Sequence, residues 1–429
     1  MIRTHIFPCA LPKPEGDALN QESGRIYTRV MVNHYRAFRQ SGATWLSMYG
    51  AQKLDDYYGA TGSPLLHSHS IDAAQEAFYK ACKIARVNRG EGAHFPHKRK
   101  PWRSTIWKNT GIRGREGYLL LARAKGREPI RVDLPSHLVA LPSNVLVEMR
   151  LVWDNAARHY TWHLVVDDGH PDAEPPGHAV MAGDLGEIHP ITLTDGHTAT
   201  VISARALRAV RQRTNKRLAE IQAVQSRRTK ASCQWRKLQR RKNRFLAQQA
   251  RRVRDIEHKV SRAAVDIAIA QQVGTLALGD VREVADGKRL NSKSQQKVAN
   301  WSHGRLRQYI TYKAKSVGIL VELVDEHYTS QTCPSCGARH KPKGRRYRCP
   351  ACGFVAHRDV VGAANILSRH TTGELSRVFP PEREKYRHPF CNRKTGKRSP
   401  VGTGQVAWQA NHRATQEAAP LQGQRSATG

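Results

Sequence analysis

The sequence predicts an α/β fold in which short buried strands alternate with long helices, joined to a small metal-binding module. Three observations support this fold class. Apolar segments of strand length occur at 275–279 and 319–326, and 179–196 has the pattern strand, tight turn, strand. A stretch with helical spacing, 203–272, separates the pattern at 179–196 from the strand at 275–279. Four cysteines spaced as metal ligands lie within 333–352.

The length and net charge of the chain limit the kinds of function that it can have. The chain has 429 residues, enough for two or three domains, and a formal net charge of +36. Self-repulsion of this size does not stabilise a fold, so the charge indicates a polyanionic partner, most commonly nucleic acid. The sequence has no apolar run long enough to span a bilayer and no secretory signal pattern at its start. A cytoplasmic protein is therefore expected, and the clustering of four of the eight cysteines fits a reducing compartment.

Residues 1–180 are predicted to mix short strands with one or two helices. The segment 25–35 alternates like a strand, and 70–88 has helical spacing. Several strand patterns within 117–166 suit a small β-barrel or a meander. The Pro-rich stretch 170–179 marks the boundary with the next domain.

Two basic regions are candidate nucleic-acid contacts. In the first, Trp102, Trp107 and Arg103 belong to a basic, turn-rich segment, and they either stack on RNA bases or pack a barrel core. The second is the stretch 203–272, which has Lys and Arg on most faces and no coiled-coil seam. This pattern favours a helix lining a nucleic-acid channel over a solvated surface helix. The predicted phosphate contacts are Arg240, Arg241, Lys242, Arg244, Arg251 and Arg252.

The cysteine cluster consists of two C-x2-C pairs separated by twelve residues, and its members are Cys333, Cys336, Cys349 and Cys352. Each pair offers two thiolates to one ion, and a hairpin between the pairs brings them together. Four thiolates predict a closed, tetrahedral and structural Zn²⁺ site, with a redox pair or free thiols as the alternative. The basic loop between the pairs either touches phosphate or forms a solvated hairpin tip.

Three acids follow or open buried elements, as a metal-dependent nuclease requires. Asp184 follows an apolar segment and opens a tight turn, Asp359 begins a helix with a small-residue face, and Asp280 comes one residue after the strand 275–279. Cleavage of a phosphodiester by two divalent ions needs several carboxylates around them. Taken singly, each acid also suits a cap or a turn.

Together with the cysteine pairs, these stretches resemble TnpB, the transposon-encoded RNA-guided nuclease, and the compact type V CRISPR effectors that look derived from it. The resemblance rests on GDLGEIHPITLTDG, LALGDV, YTSQTCPSCG and CGFVAHRDVVGAANIL, and it covers roughly 180–370. It implies a RuvC-like nuclease domain of the RNase H fold with a zinc ribbon, and an amino-terminal β-barrel wedge with a helical recognition insertion. The implied domains are a wedge and recognition lobe at 1–180 with its helical insertion at about 40–90, a RuvC-like domain at 181–328, a zinc ribbon at 329–357, a last RuvC segment at 358–371 and a largely disordered basic tail at 372–429.

The resemblance also implies partners and roles. The partners are a guide RNA and a target DNA with a short flanking motif, and catalytic Mg²⁺ binds a two-metal site. Asp184 matches the first catalytic acid and Asp359 the last. The family's middle acid, a glutamate that closes the fourth strand, falls on Gly279 in this chain. His357 and Val361 stand where the family commonly has aspartate and asparagine.

Gly279 leaves three interpretations open. Asp280 substitutes for the glutamate, although one step along a strand turns a side chain to the opposite face. Alternatively Glu326, at the end of the neighbouring parallel strand, leans across the bare glycine and completes the metal site. In the third interpretation the nuclease is lost. Glu187 and Glu322 are weaker candidates.

The sequence therefore predicts an RNA-guided, Mg²⁺-dependent DNA endonuclease whose metal site comprises Asp184, Glu326 and Asp359, with Asp280 as the fallback. One rival is a nuclease-dead RNA-guided DNA-binding protein that acts as a repressor. A more distant rival is a DNA-binding accessory protein that needs no RNA.

Overall fold

The computed structural model describes residues 2–40, 62–155, 157–167, 173–281, 291–299, 301–376 and 381–389, together with the single residues 42, 50 and 169. The chain divides into two compact units. The first comprises Met1–Glu174, Gln212–Arg252 and Lys315–Gly318, and the second comprises Pro175–Arg211, Val253–Ala314 and Ile319–Gly429.

The first unit contains seven strands within the described residues. They are β1 (Ile2–Pro8), β2 (Thr105–Lys108), β3 (Ile112–Arg115), β4 (Tyr118–Leu121), β5 (Ile130–Asp133), β6 (Leu146–Asp154) and β7 (His159–Asp167). One antiparallel sheet has the order β1-β7-β6-β2 and the other the order β3-β4-β5. The described strands thus pair as two sheets of four and three strands, not as one continuously hydrogen-bonded barrel.

Two helices cover these sheets, α1 (Lys13–Gln40) and α2 (Ser68–Val87). The prediction of a strand at 25–35 is wrong, because these residues belong to α1. Residues 26, 28, 30 and 32 alternate as in a strand, but the buried residues are 26, 27, 30 and 31, which share one face of a helix. Tyr27 meets Phe78 of α2 edge to face, with ring centroids 5.9 Å apart.

The helical part of this unit begins earlier than predicted. The insertion was expected at about 40–90, but α1 already starts at Lys13, and most of 41–61 lies outside the described residues. Helix α2 is capped by His67, whose side chain accepts a hydrogen bond from the backbone N–H of His69.

The second unit is built on one six-stranded sheet. Its strands are β8 (Ala179–Asp184), β9 (Ile191–Thr194), β10 (Thr198–Ile202), β11 (Val273–Asp280), β12 (Leu320–Asp325) and β15 (Arg383–Arg387), in the order β12-β11-β8-β9-β10-β15. Strands β12, β11 and β8 are mutually parallel, and β9 is antiparallel to β8. A hairpin of β13 (Arg346–Arg348) and β14 (Val355–His357) stands apart from this sheet.

The remaining helices are α3 (Arg205–Ser226), α4 (Cys233–Ala270), α5 (Ser292–Ala299), α6 (His303–Lys315) and α7 (Arg358–Thr372). Helix α7 packs on the six-stranded sheet through an unbroken run of buried residues, 360–368. Small residues at Gly362, Ala363 and Ala364 let its backbone approach the sheet closely.

The tail at 372–429 is predicted to be largely disordered, and one short segment of it forms regular structure. Strand β15 adds to the edge of the sheet, parallel to β10. All five of its side chains are exposed, so it has no apolar pattern by which a buried strand is predicted. Residues 377–380 and 390–429 lie outside the described part of the chain. Among the described helices, none is long and apolar enough to cross a bilayer.

Candidate active site

The candidate site lies where three parallel strands end. Strands β8, β11 and β12 end at Asp184, Asp280 and Asp325 respectively. Because the strands are parallel, their carboxyl ends meet at one edge of the sheet, the edge at which ligands of α/β sheets bind. A cleft of about 1110 Å³ opens there, and carboxylates of all three strand ends line it.

Glu326 lies across Gly279. The backbone of Gly279 is level with Val324 of β12. A Cβ added to Gly279 would stand 2.6 Å from Cδ and 2.7 Å from Cγ of Glu326, with Oε1 closer still. Only glycine leaves this space free, so the glutamate of the neighbouring strand reaches the position that a side chain at 279 would occupy.

Asp184 and Asp359 line the same cleft. Asp359 lies in the first turn of α7. Gly362, one turn further along that helix, lies against Asp184, since an added Cβ would be 2.9 Å from Oδ2 of the aspartate. The close approach of α7 therefore brings the strand acid and the helix acid to one cleft.

Burial and like charge perturb two of these acids. Burial, followed by repulsion from Glu326 and Asp359, raises the pKa of Asp184 well above its usual value. Burial, followed by repulsion from Asp280 and Asp325, raises the pKa of Glu326 from 4.5 to about 7. Oε1 of Glu326 is buried and has no hydrogen-bond partner among the described residues. A buried carboxylate oxygen without a donor is costly unless a cation or a proton satisfies it.

The other acids considered have different environments. Asp280 pairs with Arg307 of α6, whose Nη1 lies 3.3 Å from its Oδ1. Glu322 is exposed and pairs with His370 at 2.7 Å. Glu187 lines the cleft.

Three further groups lie beside these acids, and the sequence places none of them at the metal site. Arg345, from the hairpin, donates from Nη1 to Oδ2 of Asp359 at 3.2 Å. His189 and His357 meet edge to face, with ring centroids 5.1 Å apart. Burial, above all, lowers the pKa of His189 to about 4. In the sequence, His357 stands out only as a departure from the family pattern. His189 lies in a turn, where no helical or strand periodicity marks it.

The four cysteines come together in the hairpin module, with one ligand atom from each within 4.8 Å of the others. Sγ of Cys333 lies 3.7 Å from that of Cys352, and Sγ of Cys336 lies 3.5 Å from that of Cys349. A tetrahedral ion with Zn–S bonds of about 2.3 Å separates its sulfurs by about 3.8 Å, so the cluster could hold zinc. Each pair is followed by a glycine with positive φ, which closes the turn.

The predicted phosphate contacts lie on α4, and most of them are exposed. Five of the six predicted phosphate contacts are exposed, namely Arg240, Arg241, Arg244, Arg251 and Arg252, and Lys242 is half-buried. Arg240, Arg244 and Arg158 share a small pocket with Trp153. Arg251 approaches Asp154 only at 4.0 Å.

The basic aromatic segment is bound into the first unit. Trp107 is 1% exposed and donates from Nε1 to the carbonyl of Ala122, so it belongs to the core. Trp102 stacks on Tyr160, with 13° between the ring planes. The guanidinium of Arg103 lies 4.1 Å from the ring centroid of Tyr27.

These features define an α/β protein with an acidic cleft at the carboxyl ends of its parallel strands and a four-cysteine hairpin beside its last helix. Two family models match such a chain. The probable transposase family OrfB_IS605 matches residues 163–285, and the Cas12f1-like TNB domain matches residues 303–366.

Individual relatives agree with these matches. The chain is 31% identical over 150 residues to a TnpB-like protein of Methanocaldococcus jannaschii, covering 34% of this chain and 52% of the relative. It is 38% identical over 114 residues to the CRISPR-associated endodeoxyribonuclease Cas12f1 of Sulfoacidibacillus thermotolerans, covering 25% of each. A solved Cas12f1–sgRNA–target DNA complex matches with a TM-score of 0.56 at 13% identity, over 83% of both chains.

The predicted resemblance to the TnpB and compact type V proteins is thereby confirmed. The matched part spans about half or less of the length of these curated relatives. The match to the solved complex is one of fold.

Proposed function

We propose that this chain is an RNA-guided DNA endonuclease that cleaves target DNA at the acidic cleft of its second unit. One observation carries the catalytic part of this proposal. Glu326 crosses Gly279 and places an unpartnered carboxylate oxygen in the cleft that Asp184 and Asp359 also line. The missing strand-end glutamate is thus replaced by one from the neighbouring strand, on a RuvC-like sheet of the RNase H type.

The residues fit a pair of hard divalent cations. Asp184, Glu326 and Asp359 offer only oxygen ligands, which Mg²⁺ prefers. Burial, followed by repulsion from Glu326 and Asp359, raises the pKa of Asp184, and a divalent cation offsets that repulsion. When bound, Mg²⁺ supplies a Lewis acid and an activated water for phosphodiester hydrolysis. The four thiolates fit a structural Zn²⁺, because their spacing is close to tetrahedral and leaves no ligand position open.

The chain's own groups position the reactants. Asp184 is held at the end of β8, and Asp359 in the first turn of α7, by elements that pack directly on each other. Arg345 and Arg358 bring positive charge to the cleft, where a phosphodiester would lie. Arg345 pairs with Asp359 across an exposed side of the cleft, so an incoming phosphate can attract it.

The proposed partners are a guide RNA and a target DNA. The relative solved as a Cas12f1–sgRNA–target DNA complex shares the fold of this chain. The net charge of +36 and the exposed arginines of α4 supply the cationic surface that such partners need. Base pairing carries the sequence specificity, and the amino-terminal lobe, in the role of a wedge, reads a short flanking motif.

The nuclease-dead alternative depended on the bare Gly279. Because Glu326 brings a carboxylate to the space beside that glycine, no observation supports the nuclease-dead alternative. It is therefore kept only as an outcome of the test.

The test uses the full chain, expressed with its native flanking DNA and purified with its RNA. A plasmid library carrying the guide-matched target beside randomised flanks is incubated with the particle and Mg²⁺, and linear products are sequenced. We expect a discrete RNA, a defined flank and cleavage that Asp184→Ala abolishes. Target binding without cleavage in the parent would overturn the nuclease, and absence of any co-purified RNA would overturn RNA guidance.

A further inference from the structure

We propose that His189, His357 and Asp359 form a binding site for a first-row transition-metal ion, separate from the four-cysteine cluster. Its natural occupants are ions that favour imidazole nitrogen, such as Zn²⁺, Co²⁺ or Ni²⁺. The proposal concerns metal binding by the chain alone, so its test does not depend on RNA guidance or DNA cleavage; Asp359 is shared with the proposed Mg²⁺ site.

The geometry brings one ligand atom from each residue within 4.8 Å of the other two. Nδ1 of His357 lies 3.8 Å from Oδ2 of Asp359. Ligands about 2.1 Å from a tetrahedral ion are separated by about 3.4 Å, so a small closing movement completes the site. His357 and Asp359 are two residues apart at the junction of β14 and α7, and the fold brings His189, which follows β8, beside them.

A second observation points to a ligand. His189 is only 4% exposed, and its Nδ1 has no hydrogen-bond partner among the described residues. A buried ring nitrogen without a partner costs free energy that a hydrogen bond or a metal would recover.

The surrounding groups decide which ion fits. Two imidazoles and one carboxylate are a set that Mg²⁺ binds poorly and later transition metals bind well. Arg345 competes for Asp359, but its side chain is 42% exposed and can move into solvent. Nδ1 of His357 also accepts a hydrogen bond of 3.2 Å from the backbone N–H of Asp359, which coordination would replace.

The test measures Ni²⁺ binding calorimetrically to the full-length protein, with its zinc content determined before and after titration. His357→Asn removes the imidazole but keeps an N-cap residue for α7. The matched control is His370→Asn, since His370 lies on the same helix and pairs with Glu322. We expect one tight Ni²⁺ site, weakened at least about 10-fold in His357→Asn and unchanged in the control.

Two further variants separate the possible sites. His189→Gln should weaken Ni²⁺ binding as His357→Asn does; if burial makes that variant unfold in a melting test, His357→Asn decides. Glu326→Gln should leave Ni²⁺ binding unchanged. Unchanged Ni²⁺ affinity in His357→Asn, or loss of the tight site in Glu326→Gln, would overturn the proposal, because the ion would then belong elsewhere.

Discussion

Glu326 occupies the space that a side chain on Gly279 would fill. An added Cβ at 279 would lie 2.6 Å from Cδ of Glu326, well inside contact distance. The two residues belong to adjacent parallel strands, and the glutamate follows the last residue of β12. In the proposed site, Glu326 therefore supplies the carboxylate that the resemblance places at 279, and the glycine leaves the space for it.

Gly279→Ala should therefore reduce cleavage without unfolding the protein. The methyl group displaces a flexible side chain and not the backbone, and a shift of a catalytic group by about 1 Å can cost about 100-fold in rate. Plasmid cleavage and thermal melting measure the two effects. Gly304→Ala is the control, because an added Cβ there meets nothing within 4 Å. Equal cleavage by the two variants would contradict the proposed role of the space.

Glu326→Gln should abolish Mg²⁺-dependent cleavage, by about 100-fold or more, while guide RNA and target binding persist. The amide keeps the shape but loses the charge that holds a cation. Glu322→Gln, on the exposed part of β12, should cleave normally.

A swap tests the relocation directly. In the double variant Gly279→Glu with Glu326→Ala, the carboxylate returns to β11 and the space above it is cleared. Cleavage should recover relative to Glu326→Ala alone. If the double variant stays as inactive as Glu326→Ala, the two positions do not supply the same ligand.

This relationship could be predicted from sequence, because a strand-end glycine beside a strand-end glutamate has few explanations in a parallel sheet. Other features could not. Residues 25–35 satisfy both the strand and the helix period, and packing against α2 decides between them. Strand β15 has only exposed side chains, so no apolar pattern marks it. His189 becomes notable only when the fold places it beside His357.

Glu326→Gln should also stabilise the Mg²⁺-free protein. Burial raises the folded-state pKa of Glu326 from 4.5 to about 7, so the folded protein binds more protons than the unfolded chain between these values. Stability is then lost as the pH rises from 4.5 through 7. The variant should exceed the parent by about 1–3 kcal/mol at pH 8 and match it below pH 4.5. Urea unfolding at both pH values measures this, and a parent as stable as the variant at pH 8 would contradict the raised pKa of Glu326.

Cys336→Ser should remove one zinc ion per chain and lower the melting temperature. Its thiol lies on the exposed side of the cluster, so little packing is lost and the effect reports the metal. Cys233→Ser is the control, because Cys233 is exposed on α4 and belongs to neither C-x2-C pair. Zinc is measured by mass spectrometry of the purified proteins. Full zinc content in Cys336→Ser would contradict a four-thiolate site.

The arginines around Trp153 should contact phosphate. Arg240 and Arg244 are exposed on α4 and share a pocket of about 200 Å³ with that tryptophan. A cationic pocket of this kind suits a single strand, because the phosphate backbone meets the charge of the arginines.

Changing both arginines to glutamine should weaken binding of a single-stranded RNA and make it less dependent on salt. Each lost phosphate contact on a single strand lowers the slope of log K against log salt by about 0.7, so the double variant should lose about 1.4. Arg262→Gln is the matched control on the same helix, since Arg262 already pairs with Asp266 at 3.0 Å. If the double variant keeps the parent's slope of log K against log salt, the two arginines face solvent and do not contact the RNA. A reduced slope with an unchanged melting temperature would show that they contact phosphates of the RNA.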